Sequence, residues 1–222
     1  MNGIYKINRL GISHEETAIF AETTYLLRWH LLCDPAQSVN PVLFCHQIAL
    51  VILMPHDKLL APLGICMSLA ELLSADQIIP EMKATERWDA IVELMDLLVT
   101  RGQIKSGDRD GVLASLKQRE ETMSTGIGFG IAIPHCSSDR LDKVVAAFGR
   151  SSTGIEFDAL DNAPVKFVVL FIVPKNQFQT HLRTLASIAK FLNDRSVRDQ
   201  LANATSADEI MSIFRARAQA TA

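Results

Sequence analysis

The sequence lacks most of the features that would settle a function at a glance. Its four cysteines, at positions 33, 45, 66 and 136, form no Cys-x-x-Cys pair. That argues against a zinc site and against a disulfide framework, and it fits a reducing cytoplasm. The longest apolar run, Val42 to Met54, spans 13 residues and still holds His46 and Gln47. A helix crossing a bilayer needs about 20. No charged stretch followed by an apolar one opens the chain, so a cleavable signal is not expected. Lysine and arginine nowhere cluster, and the net charge of −3 comes from both signs mixed along the chain. Nucleic acid and anionic membrane are therefore not expected partners. A P-loop is excluded because no Gly-Lys-Ser/Thr occurs.

What is present is concentrated in residues 124–135, Ser-Thr-Gly-Ile-Gly-Phe-Gly-Ile-Ala-Ile-Pro-His. A hydroxyl pair, Ser124 and Thr125, opens a glycine-rich loop built on Gly126, Gly128 and Gly130. A short apolar strand follows and ends at Pro134-His135. Close-set glycines let backbone N–H groups turn toward an anion, since no Cβ blocks the approach. Hydroxyls can add hydrogen bonds to phosphate oxygens. His135 is a nucleophile that is neutral near pH 7 and can accept a phosphoryl group. A dinucleotide loop would have a strand before its glycines and a helix after them. Here a helical pattern precedes and the run Ile131-Ala132-Ile133 follows. On the loop alone, a tight turn leading into a core strand is an equally good reading.

Hydrophobic residues make up 48% of the chain, enough for a well-buried core. Residues 1–66 carry 4 basic and 5 acidic side chains, against 18 and 20 in residues 67–222. The first part holds three of the four cysteines and four of the six histidines, and it shows no sustained period. Two parts are expected, an irregular extension over 1–66 and a folded domain over 67–222. Two readings of the first part stay open: an upstream start wrongly chosen, or a genuine extension.

From Met67 onward the punctuation is clear. Thr85 opens a helix with apolar face Trp88, Ile91, Val92, Met95, Leu98 and Val99, closed by Gly102. Asp108 or Asp110 caps the next, which turns Val112, Leu113 and Leu116 inward and runs out near Arg119. Val144 to Phe148 and Phe167 to Val173 read as buried strands. A long helix starts at Thr180, and shorter ones follow over about 196–203 and 207–217. Helices interleaved with buried strands predict a layered α/β fold.

The run Arg119-Glu120 through Ser124-Thr125-Gly126-Ile127-Gly128 to Pro134-His135 resembles the enzyme IIA domain of the bacterial sugar phosphotransferase system. More narrowly, it resembles the mannitol/fructose/nitrogen-regulatory type. Ile155-Glu156-Phe157-Asp158-Ala159-Leu160-Asp161-Asn162, with Pro164-Val165, matches a second family segment. Strand 167–173 with Pro174, then Thr180-His181-Leu182 and Leu185, matches a third. The likeness covers roughly residues 67–219.

The resemblance implies a small mixed β-sheet flanked by helices and no cofactor. It implies a phosphoryl group taken from the phosphocarrier HPr or a paralogue. The receiver would be a IIB domain in sugar transport or a regulated protein in nitrogen control. The segment Ile155–Val165 looks more like the regulatory branch. A non-catalytic interaction module with the same fold is the rival reading. His135 would accept the phosphoryl group, Arg119 would clamp its oxygens, and His181 would hydrogen-bond it or orient His135. Ser124, Thr125, Gly126 and Gly128 would line the phosphate pocket. Glu120 would orient Arg119, unless it is an exposed helix carboxylate. Two residues depart from the family pattern. Phe129 replaces a small polar residue, and Cys136 replaces a glycine. Phe129 would offer an apolar contact to the donor. A metal site of His135, His181 and Cys136 has no supporting ligand spacing.

Overall fold

The computed structural model describes residues 68–175 and 178–219; the extension over 1–66 lies outside them. The described part begins with a short helix, α1 (Leu69–Leu72), which opens on a capping box between Ser68 and Glu71. A two-residue strand, β1 (Ile78–Ile79), leads to α2 (Arg87–Thr100) and α3 (Arg109–Thr122). Three short strands follow: β2 (Gly126–Gly128), β3 (Ile131–Ala132) and β4 (His135–Ser138). Two long ones come next, β5 (Val145–Ile155) and β6 (Val165–Pro174). Three helices finish the chain: α4 (Phe178–Asn193), α5 (Arg195–Asn203) and α6 (Ala207–Gln219).

The sheet is mixed, with strand order β1-β5-β6-β3-β2, and β4 also lies against β6. β5 and β6 run antiparallel, while β3 and β4 both run parallel to β6. Strand β6 is central and buried on both faces from Phe167 onward, so Phe167 to Pro174 is a continuous apolar run rather than an alternating one. Phe167, Val169, Phe171 and Val173 point toward α1, α4, α5 and α6, and they share one core with Leu185, Leu192 and Phe214. Val168, Leu170 and Ile172 point the other way, against α2 and α3. The expected small mixed sheet flanked by helices is therefore the observed one.

The expected helices are present, with shifted faces. In α2 the buried stripe is Ala90, Ile91, Leu94, Met95 and Leu98. Trp88, Val92 and Val99 are only partly buried. Trp88 instead packs beneath Arg87, whose guanidinium carbon lies 4.7 Å from the ring centre. Asp108 stands at the N-cap of α3, and that helix continues past Arg119 to Thr122. Asn193 and Asp194 do end α4, because the Asp194 carboxylate accepts the Ser196 N–H and starts α5.

Candidate functional site

His135 is the first residue of β4 and sits opposite Phe171 of β6. In a strand, side chains alternate between faces. His135 follows Ile131 and Ile133 on the α4 side, while Cys136 points to the α2/α3 side. His135 is 6% exposed. Nδ1 lies 2.8 Å from the Ile133 carbonyl oxygen. A carbonyl only accepts, so Nδ1 carries the hydrogen. In the neutral ring the lone pair is then on Nε2. The chain segment between β3 and β4 thus sets which ring nitrogen carries the hydrogen.

The residues before His135 split into two groups. β3 meets β6 at Ile131↔Phe167 and β4 meets it at His135↔Phe171. Four residues at about 3.3 Å each put roughly 13 Å between Ile131 and His135 along the strand. The glycine loop is a β-hairpin whose turn lies beyond Ile131. Gly126 pairs with Ala132, and Gly128 with Ile131. Gly126 has no room for a side chain, since a Cβ there would come within 2.8 Å of the Ala159 Cα. Gly128 and Gly130 adopt φ of +92° and +75° to make the turn. The hairpin turn and His135 are not brought together.

The hydroxyl pair is also engaged with protein. Ser124 Oγ donates to the Phe157 carbonyl (2.8 Å) and accepts the Gly126 N–H (3.2 Å). Thr125 Oγ1 donates to Glu120 Oε2 (2.7 Å), and the Thr125 N–H donates to Glu120 Oε1 (2.9 Å). Glu120 is 2% exposed. It is not an exposed helix carboxylate; it clasps Thr125. Arg119 lies in the last turn of α3, where its Nη1 donates to the Met123 carbonyl (2.9 Å). That bond closes a helix end whose carbonyls would otherwise lack partners. His181 is the fourth residue of α4, the helix that follows β6; its side chain lies outside the described residues.

Phe129, at the hairpin tip, has φ of +56°, a left-handed conformation that bulky side chains avoid. It is held there by its N–H to Asp161 Oδ2 (2.8 Å) and by the Arg198 guanidinium, 5.5 Å from the ring centre. Phe129 and Leu160 are the two exposed large apolar side chains among the described residues. Both belong to this hairpin's surroundings, since the Leu160 N–H donates to the Gly126 carbonyl (3.0 Å).

Cys136 is buried beside the site, and burial pushes its thiol up to about 12. It is not an activated nucleophile. In the native protein, Cys136 is expected to resist a thiol reagent at pH 8 and to react once the chain is unfolded. Peptide mapping by mass spectrometry reads this; fast native labelling at Cys136 would contradict it. The sign of the pH effect follows. Stability from the neutral buried thiol is complete below the ordinary thiol range and is lost as pH rises toward about 12.

Among the described residues, no group of three or more His, Cys, Asp or Glu could hold a metal ion. None of their helices is long and apolar enough to cross a membrane.

The family model described as "Phosphoenolpyruvate-dependent sugar phosphotransferase system, EIIA 2" matches residues 71–216. A fructose-specific EIIA component of Haloferax volcanii is 39% identical over 56% of this chain and 80% of its own length. A nitrogen regulatory protein of Bradyrhizobium diazoefficiens is 31% identical over 67% of this chain and 95% of its own length. Among solved structures, the nitrogen regulatory protein IIA-Ntr of Neisseria meningitidis superposes with a TM-score of 0.60 at 29% identity. That match covers 66% of this chain and 98% of the other. The IIA mannitol protein of Escherichia coli reaches 0.55 at 26% identity, covering 64% and 98%.

Proposed function

The chain belongs to the EIIA 2 family of the phosphoenolpyruvate-dependent sugar phosphotransferase system, and from that premise we propose that it takes a phosphoryl group onto Nε2 of His135. The observation that carries this is the Nδ1···O contact to Ile133. It leaves the nucleophilic pair on Nε2 before the donor arrives. In the transfer, a new Nε2–P bond forms and the P–N bond of the donor's phosphohistidine breaks. The leaving imidazole keeps that electron pair. As Nε2 gives up its pair, positive charge spreads over the acceptor ring. The Ile133 carbonyl, already in place, stabilises that charge through the Nδ1–H. The bonds made and broken are of one kind, so positioning carries most of the catalysis.

The donor is HPr or a paralogue, met in the cytoplasm. Phe129 and Leu160 supply apolar area for a protein partner, the kind of exposed pair that marks an interface. Arg119 and His181 are the proposed phosphoryl-contacting partners of His135. A regulatory role is the preferred outcome of the transfer. It is supported by the resemblance of the Ile155–Val165 segment to the regulatory branch and by the likeness to IIA-Ntr. Passage of phosphate to a IIB cysteine is the second reading, favoured by the 39% identity to a fructose-specific component.

Incubation with enzyme I, HPr and labelled phosphoenolpyruvate tests the first step. Stoichiometric, acid-labile label supports it; absence of label with HPr and with its paralogues overturns it. A chase with a fructose-type IIB domain separates the two branches. Rapid loss of label to IIB favours transport, and retained label favours regulation.

A further inference from the structure

We propose that Glu120 is a positioning residue for His135, acting through a continuous series of hydrogen bonds that fixes the imidazole's tautomer. The proposal rests on the reading that His135 is the phosphoryl acceptor. The series starts at the Glu120 carboxylate, which accepts both the N–H (2.9 Å) and the Oγ1–H (2.7 Å) of Thr125. The Thr125 carbonyl then accepts the Ile133 N–H (3.1 Å). The Ile133 carbonyl accepts the Nδ1–H of His135 (2.8 Å). Three segments of chain are tied in order: the end of α3, the loop before β2, and the joint between β3 and β4.

That joint is tied to β6 by the Phe171 N–H, which donates to the Pro134 carbonyl (3.0 Å). The β3 ladder to β6 covers Ile131 and Ala132, and the β4 ladder resumes at His135. Ile133 falls between the two ladders, and Pro134 has no N–H to offer. On the outer side, the Thr125 carbonyl is what the Ile133 peptide leans on. The Ile133 N–H and C=O lie on the two peptide groups that flank its Cα, so loss of the Thr125 bond would free Ile133 to turn about its own φ and ψ and carry the acceptor away from Nδ1. The contact that places the hydrogen on Nδ1 would then be lost.

The choice of a carboxylate is chemically specific. Thr125 presents two donors, one on the backbone and one on the side chain. An ionised carboxylate accepts both, one at each oxygen, whereas a glutamine amide has a single acceptor oxygen and two donors. A carboxylate at 2% exposure near the negative end of a helix is costly unless its hydrogen bonds are complete. Glu120 meets that condition by gripping Thr125, so the cost of burying it is tied to the geometry of the site.

The test uses the full chain with ¹⁵N-labelled histidine. Glu120→Met removes both bonds while keeping the length of the side chain, whereas a glutamine amide could still donate to the Thr125 hydroxyl. Thr125→Val removes the hydroxyl bond from the other side and serves if Glu120→Met folds poorly. Imidazole ¹⁵N shifts of unphosphorylated protein report the His135 tautomer, and rapid-quench transfer from phospho-HPr reports the rate at saturating donor. The expected result is a smaller Nδ1–H share at His135 and a saturating rate lower by on the order of tenfold or more. The donor concentration at half-saturation should be unchanged. An unchanged tautomer overturns the proposal, including the case where rate and melting temperature fall together, because that is a structural effect alone. A wild-type chain that takes no phosphate overturns the acceptor reading instead, while the tautomer measurement still decides the positioning of His135.

Discussion

His135→Ala is expected to abolish acid-labile phosphate uptake from phospho-HPr while leaving the fold intact. The side chain occupies the first position of β4, and alanine keeps the backbone pairing with Phe171. What disappears is the nucleophile and its Nδ1–H bond to Ile133. Positioning and charge stabilisation have nothing to act on without an accepting nitrogen, so the loss should exceed that from any supporting residue. His135→Gln sharpens the test, because its amide can still reach a carbonyl but cannot take a phosphoryl group as an imidazole does. Circular dichroism should match wild type for both variants. Label that survives in His135→Ala would mean that another histidine is the acceptor.

Phe148→Ala should be the most damaging of the simple core changes. Phe148 is fully buried on β5. Its ring stacks on Phe167 at 6.4 Å and meets the edge of Phe214 at 5.2 Å. It therefore joins the sheet to α6, which closes the chain over that face. Truncating a buried phenylalanine removes its transfer energy and leaves a cavity, typically about 3–5 kcal/mol. For a domain of this size that corresponds to a fall in melting temperature on the order of 10 °C. Urea denaturation checks it; a loss below about 1 kcal/mol would show that the neighbouring rings close the gap. Phosphate uptake by the surviving folded fraction should remain, since Phe148 contributes no atom to the hydrogen bonds that link Glu120, Thr125, Ile133 and His135.

Glu120 shows where sequence reading fell short. On a helix pattern it looks like any acidic residue in a final turn, and the adjacent Arg119 invites an ion pair. Its burial depends on the loop after α3 folding back, so that Thr125 lands on the carboxylate. The five-residue separation of the two was visible, but the direction of the turn between them was not. The hairpin made a similar difficulty. Three glycines near a histidine suggest a phosphate cradle. The strand register instead puts the turn at the level of Phe167 and the imidazole at the level of Phe171. Glycine spacing reports permissive backbone and close packing, and it does not say which of the two a given position uses. The two-residue strand β1 also escaped notice, because a pair of isoleucines carries no period to detect.

The layered α/β class, the two central buried strands and the main helices are legible from local information alone, in apolar periods and capping residues. His135 stands out as the candidate acceptor through the family resemblance of the motif around it, since the glycine loop alone leaves a plain turn equally open. Only the tertiary structure decided which imidazole nitrogen holds the hydrogen, what Glu120 grips, and that Ser124 and Thr125 spend their hydroxyl hydrogens on Phe157 and Glu120. The physical reason is that a hydrogen bond is settled by distance and direction between groups from different segments. Residue types fix what each group can donate or accept, and packing alone fixes which partner it meets.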